Sequence, residues 1–184
     1  MRTITIITCM LVVAFSLPFL HQSQASNDNY IEELYDGELL TGFIEEAYVT
    51  SIQEQCLIET IYFESRGEPF LGQVAVGVVV MRRVQSPNFP DDICAVVHAG
   101  RYWKGNPIRN QCSFSYFCDG KAETIFDEQG YLTAQDAAAL VLMGVVVDNM
   151  EEVVYYHATY VNPRWSSQKK KVFQIGKHIF YKER

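Results

Sequence analysis

Two glutamates and an arginine stand together in the segment "YFESRGEP", residues 62–69. Leu57, Ile61 and Glu64 follow the i, i+4, i+7 spacing of one helix face, so a helix over residues 54–65 places Glu64 on its apolar side. A carboxyl group in that position loses hydration, and its pKa rises toward neutrality. A glutamate that keeps its proton near neutral pH is suited to general acid catalysis. We therefore predict that Glu64 is a catalytic acid.

The residues that follow predict the end of this helix and a turn. Gly67 fits a helix stop, and Pro69 follows it. Arg66 and Glu68 are near enough to pair, and we predict a structural ion pair that orients the turn. In the alternative, Glu64 itself pairs with Arg66 or caps a neighbouring group and performs no chemistry.

The rest of the pattern predicts an α+β fold in which helices dominate. The apolar, valine-rich run of residues 70–84 is long enough for a second helix, and residues 91–98 fit a short one. Residues 100–127 are predicted to be irregular. Thr133, with Asp136 in the capping-box position, predicts a long helix over residues 133–150. Residues 153–158 and 177–181 are predicted strands of a small antiparallel sheet near the C-terminus.

The N-terminal residues 1–25 have the pattern of a secretory signal peptide. Arg2 precedes a mostly apolar run, and small residues at Ser23 and Ala25 suit cleavage after Ala25. The alternative is an uncleaved membrane anchor, but the run is short for a span of roughly 20 residues. No later run is long enough to cross a bilayer. We therefore expect an exported chain, periplasmic or extracellular, without stable membrane insertion after cleavage.

Export makes disulfides the favoured interpretation of four of the cysteines: Cys56, Cys94, Cys112 and Cys118. Four cysteines allow three pairings. If Cys112 and Cys118 close the short aromatic loop "CSFSYFC", the other two join two predicted helices. A zinc site is the alternative, although no C-x-x-C pair occurs.

Charge is unevenly distributed along the chain. Residues 26–53 contain seven acids and no lysine or arginine, which predicts an acidic N-terminal arm before a catalytic domain of residues 54–184. Residues 161–184 contain seven bases and one acid. This basic segment either faces an anionic polymer or forms a solvated rim around the small sheet. The net charge of −7, with export, argues against a nucleic-acid partner.

Several segments together resemble the cell-wall hydrolases of the SleB/CwlJ type, the spore cortex-lytic enzyme family. They are "YFESRGEP", "RVQSPNFP", "QCSFSYFCDG", "VVYYHATYVNPRW" and "IGKHIFYK", and the resemblance spans about residues 54–182. It implies a lysozyme-like fold, close to lytic transglycosylases, and a peptidoglycan glycosidase whose acid is the first glutamate of the block, here Glu64. Ser65 stands where the family usually has alanine. The family also carries an older description as N-acetylmuramoyl-L-alanine amidases.

The number of carboxylates favours a mechanism with a single acid. Most glycosidases use two, but the best second candidate, Asp119, lies in "CDG", which is typical of a turn. In a one-acid scheme Glu64 protonates the oxygen between N-acetylmuramic acid (MurNAc) and N-acetylglucosamine (GlcNAc). It then takes a proton from the MurNAc 6-hydroxyl, which closes a 1,6-anhydro ring, whereas attack by water gives hydrolysis. Neither route requires a cofactor.

Polar and aromatic residues of the two non-helical stretches are predicted to line the substrate cleft. They are Ser113, Phe114, Tyr156, His157 and Asn162. For each aromatic residue, packing in the core is the alternative.

Two other functions would need different residues. A metal-dependent amidase needs a cluster of histidines and acids, but His98, His157 and His178 match no zinc motif and H-E-x-x-H is absent from the sequence. A wall-binding module would keep the cleft without the chemistry, which the intact "YFESRGEP" block argues against. Serine-based hydrolysis is set aside because no G-x-S-x-G occurs.

Overall fold

The computed structural model describes residues 37–145 and 147–184. Backbone contacts divide the chain into two units, residues 1–48 and 49–184, and apart from the start of the first helix the features that follow lie in the second unit. The predicted signal peptide and residues 26–36 of the predicted acidic arm lie outside the described residues. Within the described ranges, no helix combines the length and apolar character needed to traverse a bilayer.

Helices and two small sheets alternate along the chain, which confirms the predicted α+β class. The helices are α1 Gly37–Ser65, α2 Phe70–Val84, α3 Ile93–Val97 and α4 Glu128–Leu142. The strands are β1 Gly100–Trp103, β2 Asn106–Cys112, β3 Val153–Ala158, β4 Lys170–Ile175 and β5 His178–Lys182. Two short 3-10 helices cover Ser115–Cys118 and Arg164–Gln168.

The core forms where α1, α2 and α4 pack together. Ile61 of α1 and Val141 of α4 both contact α2 at Gly77, where an added Cβ would lie 2.9 Å from each side chain. Glycine thus allows the three helices to approach closely. The apolar face of α1 is buried as predicted, with Leu57 and Ile61 fully inaccessible.

A hairpin occupies part of the segment that was predicted to be irregular. Strands β1 and β2 pair antiparallel. The turn between them uses Lys104 and Gly105, both with positive φ (50° and 81°), as tight two-residue hairpin turns require. "KG" is a weaker turn signal than Asn-Gly, which explains why the sequence analysis missed the hairpin.

The two disulfides pair in the arrangement considered from sequence. Cys56 of α1 is bonded to Cys94 of α3, and Cys112 is bonded to Cys118. The second bond closes the loop between the end of β2 and the first 3-10 helix.

A three-stranded antiparallel sheet in the order β3-β5-β4 closes the fold. Tyr156 lies opposite Phe180, and Phe173 lies opposite Phe180 from the other side. The predicted pairing of residues 153–158 with residues 177–181 is confirmed by the antiparallel pair of β3 and β5. Strand β4 was missed because its polar "KKVFQI" sequence alternates weakly.

Two predicted boundaries are wrong. Helix α4 begins at Glu128, since Asp127 caps it by accepting a hydrogen bond from Gly130 N at 2.9 Å. Thr133 lies inside the helix, and its hydroxyl donates to the carbonyl of Gln129. Helix α1 begins at Gly37, whereas its predicted start was residue 54.

Candidate active site

Glu64 lies in the last turn of α1 and lines a cavity of about 310 Å³. The next residue, Ser65, is buried and donates its hydroxyl to the carbonyl of Ile61 at 2.7 Å, which fixes the end of the helix. The other walls come from α2, the segment after β2, strand β3 with its following turn, and β5. The cavity therefore forms where the helical part of the fold meets the sheet.

Burial raises the pKa of the Glu64 carboxyl above its ordinary value of 4.5. Four influences oppose this rise without cancelling it: a hydrogen bond from Tyr156, backbone groups of Ser115 and Tyr116, and the charge of Arg83. The Tyr156 hydroxyl donates to Glu64 Oε2 at 3.0 Å. The site thus favours a protonated acid and still provides partners for its carboxylate.

Tyr156 is a hydrogen-bond donor that keeps its proton. Burial, together with the nearby Glu64 charge, raises its pKa well above the ordinary tyrosine value. Its ring packs edge-on against His178, with centroids 5.1 Å apart, and against Phe180. These contacts hold the hydroxyl in its position beside Glu64.

Arg83 forms part of the deeper wall of the cavity. Its side chain is 8% exposed, and its Nε donates to the carbonyl of Val154 at 2.9 Å. The guanidinium carbon lies 5.0 Å from the ring centroid of Phe114 and 5.3 Å from that of Phe89. Both distances fall within the range of cation–π contact.

Three of the five predicted substrate residues line this cavity: Ser113, Tyr156 and His157. His157 has both ring nitrogens engaged, with Tyr181 Oη at 2.8 Å and the Ala158 carbonyl at 2.9 Å. The structure brings these three residues together with Glu64, although each of them lies more than 40 residues from Glu64 in sequence.

The other two predicted residues, Phe114 and Asn162, do not line this cavity. Phe114 is 1% exposed and belongs to the core, where it packs against Arg83. Asn162 is exposed and does not line the cavity; its Oδ1 lies 3.5 Å from Ser166 Oγ instead. Neighbours in sequence point in different directions here, and composition alone does not reveal which of them face the cleft.

Several residues that line the cavity were not predicted from the sequence, among them Phe63, Arg83, Ser115, Tyr160 and His178. Tyr160 is 82% exposed and therefore presents an aromatic face at the rim. Arg83 and His178 both lie in segments that carry the family resemblance. Each is a polar residue at the edge of an apolar run, and this was the sequence signal that could have indicated a role in the site.

The predicted ion pair between Arg66 and Glu68 is wrong. The three ion pairs found among the described residues include neither side chain. Glu68 Oε2 instead accepts a hydrogen bond from Lys177 N at 2.7 Å, and Arg66 lies over the Tyr62 ring. A Cβ at Gly176, where φ is +54°, would overlap the Glu68 carboxylate, so glycine makes room for this contact.

A second cavity of about 270 Å³ adjoins the first, because Phe63 and Ser115 line both. Asp119 lies in this second cavity and accepts hydrogen bonds within its own turn, from Lys121 N at 2.8 Å. That bond and the charge of Lys121 lower the pKa of Asp119. Asp119 is therefore an ionised turn residue, and Glu64 is the one acidic residue among the described residues lining the first cavity.

Among the described histidines, His98 lies apart from His157 and His178, and only the latter two line the cavity with Glu64. His98 stacks on Phe117 with centroids 4.2 Å apart, whereas His157 and His178 lie in the sheet. Over the described ranges, no three histidine, cysteine or acidic side chains come together as metal ligands.

Comparison with known proteins identifies relatives of this chain. It is 31% identical over 131 residues to a spore cortex-lytic enzyme of Bacillus cereus, covering 70% of this chain and 43% of that protein. It is 32% identical over 126 residues to the spore cortex-lytic enzyme of Bacillus subtilis strain 168, covering 67% and 35%. The chain thus spans less than half the length of these curated relatives.

Solved structures of related catalytic domains share the fold. The catalytic domain of the germination-specific lytic transglycosylase SleB from Bacillus anthracis matches with a TM-score of 0.56 and 30% identity, over 71% of this chain and 93% of that domain. The catalytic domain of the Bacillus cereus SleB protein matches with a TM-score of 0.52 and the same identity, over 71% and 89%. The predicted lysozyme-like α+β fold is confirmed by these matches.

The family model described as Cell Wall Hydrolase matches residues 67–181. Glu64 lies just before this range, so the case for its role depends on the geometry of the cavity. Because the match covers more than half of the sequence, the chain belongs to the cell wall hydrolase family.

Proposed function

We propose that this protein is an exported peptidoglycan glycosidase of the lytic transglycosylase type, with Glu64 as its general acid and base. One observation carries the proposal: a single carboxyl group with a raised pKa lines the cavity, and a phenol donates a hydrogen bond to it. A pair of carboxylates, which ordinary glycosidases need, does not line this cavity in the described part of the chain.

In the first step, protonated Glu64 donates its proton to the oxygen that bridges MurNAc and GlcNAc. The bond between the MurNAc anomeric carbon and that oxygen breaks, and GlcNAc leaves with the proton. Glu64 becomes a carboxylate, which the Tyr156 hydroxyl stabilises by its hydrogen bond. The role of Tyr156 therefore grows as negative charge develops, which is the condition for lowering a barrier.

In the second step, the Glu64 carboxylate takes the proton of the MurNAc 6-hydroxyl. The oxygen of that hydroxyl forms a bond to the anomeric carbon, which yields a 1,6-anhydro sugar and restores protonated Glu64. No second carboxylate is consumed or required. The description of the similar Bacillus anthracis domain as a lytic transglycosylase supports this route over attack by water.

The shape of the site suits an extended glycan. The two adjoining cavities meet at Phe63 and Ser115, so a chain lying along both passes Glu64. Exposed Tyr160 offers a face on which a sugar ring can stack. We propose that Ser113 and His157 contact the sugars from the wall next to Glu64.

Export belongs to the same proposal. Peptidoglycan lies outside the cytoplasmic membrane, and the predicted signal peptide of residues 1–25 would deliver the chain there. The two disulfides are consistent with an oxidising compartment.

The amidase alternative is not favoured. His157 has hydrogen-bond partners on both ring nitrogens, and no three histidine, cysteine or acidic side chains of the described residues come together as metal ligands. The relatives at about 31% identity are described as cortex-lytic enzymes.

The test is to digest purified peptidoglycan with the wild type, Glu64→Gln and Glu68→Gln, and to identify the products by mass spectrometry. We expect anhydro-MurNAc ends from the wild type and no cleavage by Glu64→Gln. Glu68→Gln is the matched control, because its side-chain oxygen can still accept the hydrogen bond from Lys177 N.

Other outcomes contradict specific parts of the proposal. Reducing MurNAc ends would replace transglycosylation by hydrolysis. Freed stem peptides would indicate an amidase, and unchanged glycan cleavage by a folded Glu64→Gln variant would remove Glu64 from the mechanism.

A further inference from the structure

We propose that Arg83 is a positioning residue for this reaction, whose buried guanidinium stabilises the carboxylate that Glu64 becomes after it donates its proton. The inference builds on the proposed function. Arg83 acts through Glu64 and need not touch the sugar.

The position of Arg83 is fixed by contacts from three parts of the fold. It lies in the last turn of α2. Its Nε is bonded to the Val154 carbonyl of β3, and its guanidinium packs by the rings of Phe89 and Phe114. These contacts hold the guanidinium in a fixed, buried position beside the cavity.

Among the described side chains, Arg83 has no ion-pair partner. The three ion pairs in residues 45–145 and 147–184 involve other side chains. Its Nη1 is buried and has no hydrogen-bond partner among the described groups. A buried cation without a carboxylate partner is unfavourable for folding, and unsatisfied buried donors are rare and call for an explanation. The explanation offered here is the negative charge that Glu64 carries for part of each catalytic cycle.

Other titratable groups surround the Glu64 carboxyl. Burial raises the pKa of Tyr156 of β3 and of Tyr116 in the first 3-10 helix well above the ordinary tyrosine value, so both stay neutral near pH 7. The pKa of His178 in β5 is lowered by burial, which favours its neutral form. His157 lines the cavity with both ring nitrogens hydrogen-bonded.

Arg83 is therefore the one lining residue, within the described part of the chain, that carries a permanent positive charge. Opposite charge favours ionisation of a carboxyl group. Arg83 opposes the effect of burial and keeps Glu64 strong enough as an acid to release its proton. Without Arg83, Glu64 would hold its proton to higher pH and donate it less readily.

The experiment measures the pH dependence of kcat/KM on soluble glycan fragments for the wild type, Arg83→Met, Arg83→Lys and Arg82→Met. In Arg83→Met we expect the loss of activity at high pH to move upward by about one pH unit, and the maximal rate to fall about tenfold. Arg83→Lys keeps the charge and should show a smaller shift. Arg82→Met is the matched control, because Arg82 is adjacent on α2 but lines a different cavity.

A second measurement does not depend on activity. The carbon-13 signal of the Glu64 carboxyl, assigned by comparison with Glu64→Gln, should titrate at higher pH in Arg83→Met than in the wild type. If Arg83→Met does not fold, Arg83→Gln provides an uncharged variant that retains a donor for the Val154 carbonyl.

The outcomes separate this inference from the proposed function. An unchanged carboxyl titration and an unchanged pH profile in a folded, uncharged Arg83 variant would overturn the inference, even if Glu64→Gln is inactive. An active Glu64→Gln would overturn the proposed function, while the titration would still report whether Arg83 acts on Glu64.

Discussion

The two disulfide bonds close loops of very different length, and their removal should therefore affect stability and activity in opposite order. Cys56 and Cys94 are separated by 38 residues, whereas Cys112 and Cys118 are separated by 6. Loop-closure entropy grows with the logarithm of the separation, which gives about 4 kcal/mol of stabilisation for the long loop and about 2 kcal/mol for the short one.

The loss of activity on removing each disulfide should depend on how close that disulfide lies to the cavity. Ser113 and Ser115 lie inside the Cys112–Cys118 loop, and both line the cavity with Glu64. Neither Cys56 nor Cys94 lines it. Replacing Cys112 and Cys118 by serine should lower glycan cleavage about tenfold or more, because a misplacement of about 1 Å can cost about 100-fold in rate.

The assay combines urea unfolding of both double-serine variants with initial rates of peptidoglycan cleavage, measured well below either unfolding midpoint. We expect Cys56→Ser/Cys94→Ser to be the less stable and the more active variant. The reasoning would be refuted if the Cys112→Ser/Cys118→Ser variant retained full activity, or if it lost more stability than the other.

Three further substitutions test individual contacts. Tyr156→Phe removes the hydroxyl that donates a hydrogen bond to Glu64 Oε2 at 3.0 Å. A hydrogen bond to a charged group is worth about 1.5–3 kcal/mol, so kcat should fall roughly 10- to 100-fold. A fall of less than threefold would contradict this. Glu64→Gln should be more stable than the wild type at pH 7 but not below about pH 4.5, because the wild type loses stability as pH rises through the raised folded-state pKa of Glu64. Thermal unfolding across pH measures the difference in stability, and equal stabilities at pH 7 would exclude a raised pKa. Glu68→Ala removes the acceptor for Lys177 N and should lower the free energy of unfolding by about 1 kcal/mol, whereas Glu68→Gln should stay close to the wild type; equal effects of the two would contradict the contact.

Local periodicity was sufficient to predict the elements that form the base of the site. The apolar spacing around Leu57 and Ile61 predicted both the helix and the half-buried position of Glu64, since the face of a long helix is determined by a repeating pattern. The valine-rich run of α2 and strand β3 were predicted for the same reason. Boundaries were less accessible: Asp127 and Thr133 are both acceptable caps, and packing selects between them.

The walls of the cavity could be predicted only in part. Whether Ser113 or Phe114 faces the cleft depends on how the loop of Cys112–Cys118 folds against α2, which no local pattern encodes. Arg83 was hidden for a related reason. Its bond to Val154 joins residues 71 positions apart, and such a contact is determined by the tertiary fold.

The proposed function depends most directly on the protonation state of the Glu64 carboxyl group. Carbon-13 NMR titration of Glu64 in the wild-type protein, with Glu64→Gln as the assignment reference, measures that state without any assumption about the substrate. We expect a titration midpoint above 4.5, the ordinary value for glutamate. A midpoint at or below 4.5 would mean that Glu64 is already ionised when the glycan arrives, and it would contradict the proposed role as general acid.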